Sequence, residues 1–264
     1  MKFFDAFKKK KEMRIISVFN QKGGVGKTTT VVNLASALGF NKKKVLVIDM
    51  DPQGNSTSGL GVEDVNATVY DVLTGEKDIN ETIYKTKSEN VDLIPSNSDL
   101  CGLEIELLSA DKKEFLLKSE LEKIPQNYDY VLIDCPPSLS ILSINSLVAS
   151  QSVLIPIQCE YYALEGVSQL MNTINIIRKG LNPKLEIEGV LLTMYDSRNN
   201  LSDDVKVETE NYFKDKLFKT VIPRNIRLAE APSFGESIIY YDKNSKGAES
   251  YLSLAKELIK NRRK

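Results

Sequence analysis

Residues 14 to 38 place a strand-like run, a glycine-rich segment and a helical pattern in direct succession. Arg14–Phe19 is apolar and rich in β-branched residues, as expected of a buried strand. Residues 22–29 then read Lys-Gly-Gly-Val-Gly-Lys-Thr-Thr. After them, apolar side chains recur at i, i+3, i+4 and i+7 from Val31 to Leu38, which predicts a helix. A strand, a glycine turn and a helix in this order form an arrangement that binds polyphosphates at the helix N-terminus.

The glycine-rich segment follows the phosphate-binding pattern G-x-x-x-x-G-K-[ST], with Gln21 in place of the first glycine. Its glycines let backbone N–H groups turn toward a phosphate without interference from a Cβ. In this pattern Lys27 reaches the β- and γ-phosphates, and the hydroxyl of Thr28 binds Mg²⁺. The sequence therefore predicts a site for a polyphosphate and Mg²⁺ that is formed by Gly23, Gly24, Val25, Gly26, Lys27, Thr28 and Thr29.

Short apolar runs alternate with helical patterns along the whole chain. Most runs are nearly continuous in Val, Ile and Leu, as in strands covered on both faces by helices. This alternation predicts an α/β fold with a single doubly wound, mostly parallel sheet and helices on both faces. No linker or repeat divides the sequence, so we expect one domain over 14–264 after a basic extension over 1–13. The predicted strands are Arg14–Phe19, Lys44–Asp49, Val91–Pro95, Tyr130–Asp134, Val153–Ile157, Gly189–Met194 and Thr220–Pro223.

The composition limits both the partners and the chemistry. The formal charge is −1, so any binding to nucleic acid must come from a local patch. The chain has no histidine, which removes the usual general base. Cys101, Cys135 and Cys159 lack C-x-x-C spacing, which argues against a disulfide framework or a zinc site and fits a reducing cytoplasm. No apolar run approaches the length of a membrane span.

Acidic residues follow two predicted strands, at the end where a parallel sheet binds ligands. Asp49 and Asp51 alternate along the chain just after the second strand, so only one of them needs to face the phosphates. Asp134 ends the apolar run that starts at Tyr130. A carboxylate at the tip of a buried strand binds Mg²⁺ in phosphoryl-transfer sites. We therefore predict that Asp134 binds Mg²⁺ through a water molecule.

Lys22 precedes the glycines by one residue, where an ordinary phosphate-binding loop needs no cation. The segment that it begins resembles the deviant Walker A motif of the ParA/MinD superfamily of ATPases, which have the P-loop NTPase fold. The resemblance implies that the nucleotide is ATP and that Lys22 contacts the nucleotide of a partner subunit. It also implies that Asp51 positions the attacking water and that Pro223 and Asn225 contact the adenine. Lys22, Lys27 and Asp51 are then the catalytic residues.

Asp51-Pro-Gln-Gly-Asn and a later Arg-Asn-Ile-Arg-Leu segment resemble the ParA/Soj branch, which partitions chromosomes or plasmids, more than the MinD branch. The resemblance covers nearly the whole chain. It implies a weak ATPase that forms a homodimer on binding ATP and then binds DNA non-specifically. Arg198 and Arg227 match the arginines that contact DNA in this branch. The implied partner is a ParB-like centromere-binding protein, and the implied location is the cytoplasm, in association with the nucleoid.

Two other functions on the same fold remain open. Residues 1–11 combine three phenylalanines with a run of four lysines. They form either a short interfacial anchor, as in a MinD-like membrane ATPase, or a frayed basic tail, which we favour. A metabolic or iron–sulfur assembly ATPase would need suitably placed cysteines, and Cys135 and Cys159 each follow a predicted strand. We expect no membrane partner.

Overall fold

The computed structural model describes residues 13–107, 110–125, 127–160 and 165–261. Nearly all of the predicted N-terminal extension therefore lies outside the described residues. The choice between an anchor and a basic tail at residues 1–11 remains a prediction.

Seven strands form one sheet in the described structure. They are β1 (Arg14–Val18), β2 (Val45–Asp49), β3 (Tyr84–Lys85), β4 (Val91–Ile94), β5 (Tyr130–Asp134), β6 (Ser152–Gln158) and β7 (Glu186–Thr193). Their order across the sheet is β3-β4-β2-β5-β1-β6-β7. All neighbouring pairs are parallel except β3 with β4. Because β5 lies between β1 and β2, the carboxyl ends of these three strands meet at one edge of the sheet.

Helices connect the strands and cover both faces of the sheet. Within the described residues they are α1 (Lys27–Phe40), α2 (Asn55–Gly59), α3 (Val69–Thr74), α4 (Leu100–Glu106), α5 (Leu116–Leu121), α6 (Ile141–Ala149), α7 (Glu165–Gly180), α8 (Asn200–Phe213), α9 (Ile226–Glu230), α10 (Ile238–Tyr241) and α11 (Lys246–Asn261). Several short 3₁₀ turns lie between them.

Alternate residues of β2 enter two separate hydrophobic clusters. Leu46 and Ile48 belong to the cluster that contains residues of α6 and α7. Val45 and Val47 belong to the cluster that contains residues of α1 and α11. This alternation follows from the two-residue period of a strand, which sends successive side chains to opposite faces. The predicted doubly wound, mostly parallel α/β sheet with helices on both faces is confirmed.

Six of the seven predicted strands coincide with observed strands to within three residues at each end. The seventh, Thr220–Pro223, is wrong because only isolated bridges join this part of the chain to its neighbours. Glu257 of α11 accepts hydrogen bonds from the N–H and the hydroxyl of Thr220, at 3.1 and 2.8 Å, so that N–H is not available to a ladder. Pro223 has no N–H to donate. The antiparallel β3 was not predicted, since two residues carry no periodicity.

Candidate nucleotide and magnesium site

The glycine-rich segment leads from β1 into the start of α1. Gly24 and Gly26 have φ angles of 75° and 85°, in the left-handed region that residues with a Cβ rarely adopt. Gly26 is the N-cap of α1 and provides no side-chain hydrogen bond to it. The first N–H groups of this 14-residue helix therefore lack a side-chain cap. Free N–H groups and the positive end of the helix dipole make this turn a suitable site for a phosphate.

Two polar side chains from outside the motif hold the loop in place. The hydroxyl of Thr193, at the end of β7, donates to the carbonyl oxygen of Val25 at 2.8 Å. The side chain of Asn20 donates to the carbonyl oxygen of Pro156 at 2.8 Å and accepts from the N–H of Lys22 at 3.0 Å. Sequence reasoning missed both residues. Asn20 directly precedes the motif, whereas Thr193 is marked only by its place at the carboxyl end of a strand.

The two lysines of the loop have different environments. Lys27 is 7% exposed, and its Nζ donates to the carbonyl oxygen of Lys22 at 3.1 Å. Burial lowers the pKa of Lys27, while the negative charges of Asp134 and Asp51 act to raise it. Lys22, by contrast, is exposed. Lys27 is therefore directed into the loop, and the ammonium group of Lys22 remains accessible to another molecule.

Asp134 ends β5 and is completely buried. Its Oδ2 accepts a hydrogen bond of 2.7 Å from the hydroxyl of Ser56, while its Oδ1 has no hydrogen-bond partner among the described residues. Burial raises the pKa of Asp134 to about 6, and the nearby hydroxyls of Ser56 and Thr28 oppose this rise. A buried oxygen without a partner, close to a hydroxyl, fits the water shell of Mg²⁺. Thr28 and Asp134 are thus suited to hold this ion.

Asp49 and Asp51 have different partners although only one residue separates them. Asp49 is completely buried, and its Oδ2 accepts from the N–H and the hydroxyl of Thr57 at 2.9 and 2.8 Å. Burial and the negative charge of Asp134 raise the pKa of Asp49 to about 8. Asp51 is 9% exposed, and among the described residues its side chain accepts a single local bond, of 3.0 Å at Oδ1 from the N–H of Gln53. Asp49 is therefore committed to the interior, and Asp51 is the less completely buried of the two carboxylates.

An apolar cavity of about 430 Å³ lies beside the loop. Pro223 and Asn225 line it together with Gly26 and Thr29 of the loop. The structure thus brings the predicted base-contacting residues next to the predicted phosphate site. The side chain of Asn225 also caps α9, because its Oδ1 accepts from the N–H of Arg227 at 2.8 Å. Its amide nitrogen is then the polar group that can face a ligand. The nonpolar part of the lining includes Met194, Ile222, Leu228, Ala229 and Tyr251.

The predicted DNA-contacting arginines are exposed, and each forms an ion pair within the chain. Arg198 donates two hydrogen bonds to Asp196, from Nε at 2.9 Å and from Nη2 at 2.8 Å. Arg198 lowers the pKa of Asp196 through these bonds. Arg227 donates to Glu230 at 2.9 Å. Neither arginine lines the cavity or the glycine loop. Binding of a phosphate by these arginines would have to compete with the acidic partners.

Burial affects the two cysteines that bear on the iron–sulfur alternative. Cys135 and Cys159 are 0% and 6% exposed, and burial raises the pKa of each thiol to about 12. Both sulfurs lie in the interior of the subunit, whereas a cluster shared between subunits needs cysteines at the surface where the subunits meet. In the described ranges, no helix has the length and hydrophobicity needed to cross a bilayer.

The AAA domain family model matches residues 13–187. The chain is 58% identical over 250 residues to the sporulation initiation inhibitor protein Soj of Bacillus subtilis, a match that covers 94% of this chain and 99% of that protein. It is 51% identical over 249 residues to the chromosome partitioning protein ParA of Myxococcus xanthus, with 94% and 88% covered.

Two solved structures share both the fold and an appreciable part of the sequence. The cobyrinic acid a,c-diamide synthase of Mycobacterium smegmatis with bound ADP and magnesium has a TM-score of 0.83 at 36% identity, with 95% of this chain and 96% of that chain covered. The septum site-determining protein MinD of Pyrococcus horikoshii, complexed with Mg-ADP, has a TM-score of 0.79 at 31% identity, with 95% and 97% covered. Since similarity to Soj and ParA proteins extends over nearly the full length, the chain belongs to the ParA/Soj family of chromosome-partitioning ATPases.

Proposed function

We propose that this chain is a partitioning switch in which ATP controls pairing and pairing controls DNA binding. In this proposal residues 14–264 act as one ATPase domain. The observation that carries it is the contrast between the two lysines of the loop. Lys27 is buried and turned into the phosphate site, whereas Lys22 is exposed where a second subunit can approach.

The loop would bind the triphosphate through the N–H groups of residues 23–29 and through Lys27, whose Nζ must leave the carbonyl oxygen of Lys22. Thr28 and Asp134 would hold Mg²⁺, which when bound neutralises charge on the phosphates. Asp51 would orient the attacking water. A carboxylate is a weak base toward water near pH 7, and the chain has no histidine, so slow intrinsic hydrolysis is expected. Pro223 and Asn225 would hold the adenine in the apolar cavity.

Pairing follows from the electrostatics of two triphosphates that face each other. Their like charges repel, and a lysine from each subunit offsets this repulsion only when both subunits are present. The exposed Lys22 is available for that role. ATP would therefore favour a symmetric homodimer in which each Lys22 contacts the partner's nucleotide, and hydrolysis would remove this support.

The ATP dimer would bind DNA without sequence preference through Arg198 and Arg227. Both arginines would exchange an acidic partner for a DNA phosphate. The two arginines of one subunit would bind DNA weakly. Pairing would place the arginines of both subunits on one DNA, which raises the apparent affinity. A ParB-like protein bound at a centromere site would accelerate hydrolysis and release the ATPase. In a cell, the ATP dimer would then lie on the nucleoid.

Filter binding of DNA with ATP, with ADP and without nucleotide tests this proposal. We expect retention with ATP alone, with a log–log salt slope of about −0.9 for each phosphate contact. Arg198→Ala should weaken the affinity for DNA and make the salt slope less steep. Lys123→Ala is the matched control, because Lys123 is also an exposed cation with an acidic partner. Equal retention in all three nucleotide states would contradict the proposal.

A further inference from the structure

The first turn of α2 binds the two buried carboxylates at the ends of β2 and β5. The Cα atoms of Asp49 and Asp134 are partners in the register of these strands. The hydroxyl of Ser56 donates to Asp134 at 2.7 Å, and Thr57 donates twice to Asp49. Both Ser56 and Asp134 are completely buried, so solvent does not compete for the bond between them. A five-residue helix is thus attached to the site by its side chains.

The position of Ser56 is fixed by its neighbour. The hydroxyl of Thr57 donates to Asp49 and also accepts from the N–H of Ser96, just after β4, at 3.0 Å. The N–H of Thr57 binds the same oxygen of Asp49. These bonds hold the start of α2 against two strand ends, and the hydroxyl of Ser56 has a defined direction toward Asp134.

The hydrogen bond from Ser56 distinguishes the two oxygens of Asp134. Oδ2 is occupied by the hydroxyl of Ser56, and Oδ1 has no hydrogen-bond partner in the described ranges. A carboxylate fixed at one oxygen cannot rotate freely, so its other oxygen keeps one orientation. Without Ser56, Oδ2 would be a buried acceptor with no donor. The carboxylate of Asp134 could then rotate, and either of its oxygens could face the ion. Supporting bonds of this kind commonly set the affinity of a metal site.

We propose that Ser56 is a positioning residue for Mg²⁺, which acts by holding Asp134 so that its unpartnered oxygen faces the ion's water shell beside Thr28. This inference rests on the proposed binding of ATP and Mg²⁺. It also connects the metal site to the segment that carries Asp51, because Asp51 and Ser56 are separated by only four residues.

The test measures how the affinity for a non-hydrolysable ATP analogue depends on free Mg²⁺, by calorimetry. In Ser56→Ala, the free Mg²⁺ concentration at which the analogue affinity reaches half of its full rise should be roughly tenfold higher than in the wild type. Its affinity without Mg²⁺ should stay within about twofold of the wild type, because among the described residues the hydroxyl of Ser56 donates to Asp134 and forms no hydrogen bond with the loop that binds the nucleotide. Ser58→Ala is the matched control, since Ser58 lies in the same helix, is exposed, and has a hydroxyl that donates to carbonyls of its own turn.

A folded Ser56→Ala protein with the Mg²⁺ dependence of the wild type would overturn the inference, as would an equal shift in Ser58→Ala. Thermal melting without nucleotide establishes whether each variant folds. If Ser56→Ala does not fold, Ser56→Cys replaces it, because a thiol has a similar shape but is a weak donor. A similar rise in the Mg²⁺ requirement is expected there. If the affinity of the wild-type chain for the analogue does not change with Mg²⁺ concentration, the proposed site for ATP and Mg²⁺ would be overturned instead.

Discussion

Replacing the three glycines of the loop one at a time with alanine should change stability in opposite directions. Gly24 and Gly26 have left-handed φ angles, and Gly23 is outside that region. A Cβ at Gly26 would meet only the side chain of Thr193 at 3.7 Å, an ordinary contact, and a Cβ at Gly23 or Gly24 would meet nothing within 4 Å. Steric clash is therefore excluded as a cause, and the backbone conformation alone decides the result.

A left-handed conformation costs an alanine about 1–2 kcal/mol. Replacing glycine also removes unfolded-state entropy, which stabilises the native state by about 0.4–1 kcal/mol. Gly24→Ala and Gly26→Ala should therefore each lower the free energy of unfolding by about 1 kcal/mol, the difference between these two effects. Gly23→Ala should leave the free energy of unfolding unchanged or raise it by up to about 1 kcal/mol.

Urea unfolding without nucleotide measures these changes as shifts of the midpoint at constant slope. The three variants form a controlled series, because the chemical change is identical and the sites are neighbours. A backbone cause would be refuted if Gly23→Ala were as unstable as Gly26→Ala, or if Gly26→Ala were as stable as the wild type. In either case the left-handed φ angle would not be the source of the lost stability.

Three further substitutions test separate parts of the site. Asp49 has a raised pKa in the folded chain, so it retains a proton that the unfolded chain releases. The free energy of unfolding should therefore fall as the pH rises from about 4 to about 8, and Asp49→Asn should flatten that decline in pH-dependent urea unfolding. Asp196→Asn frees Arg198 and removes a negative charge, so DNA filter binding with ATP should become tighter, and an unchanged affinity would count against a role of Arg198. Asp51→Ala should keep the ATP dimer on DNA, whereas release at the wild-type rate would exclude Asp51 from hydrolysis.

The sheet and the loop could be predicted because their signals are local. A nearly continuous apolar run marks each long strand, and glycines at fixed spacing mark the turn into α1. Thr220–Pro223 shows the limit of this reasoning. Its sequence has the composition of a strand, but a carboxylate on α11 binds its backbone, and no pattern within the run reveals a competitor from another element.

The contacts that hold the site were missed for the same reason. Thr193 is 168 residues from Val25, and Ser56 is 78 residues from Asp134. A lone threonine or serine carries no signal of such a distant partner until the fold is known. The ion pair of Arg198 is different, because Asp196 is only two residues away and could have been recognised from the sequence. Charges at such short spacing thus reveal in the sequence the acidic partner that competes with a DNA phosphate for Arg198.

The molar mass in solution, measured by light scattering with a non-hydrolysable ATP analogue and Mg²⁺, tests ATP-dependent pairing most directly. The wild type should change from 29.6 kDa to twice that mass. Lys22→Ala should bind the analogue and keep the mass of one chain, and Lys123→Ala should pair like the wild type. A wild-type chain that keeps its single-chain mass with saturating analogue, or a Lys22→Ala chain that doubles its mass, would contradict the account.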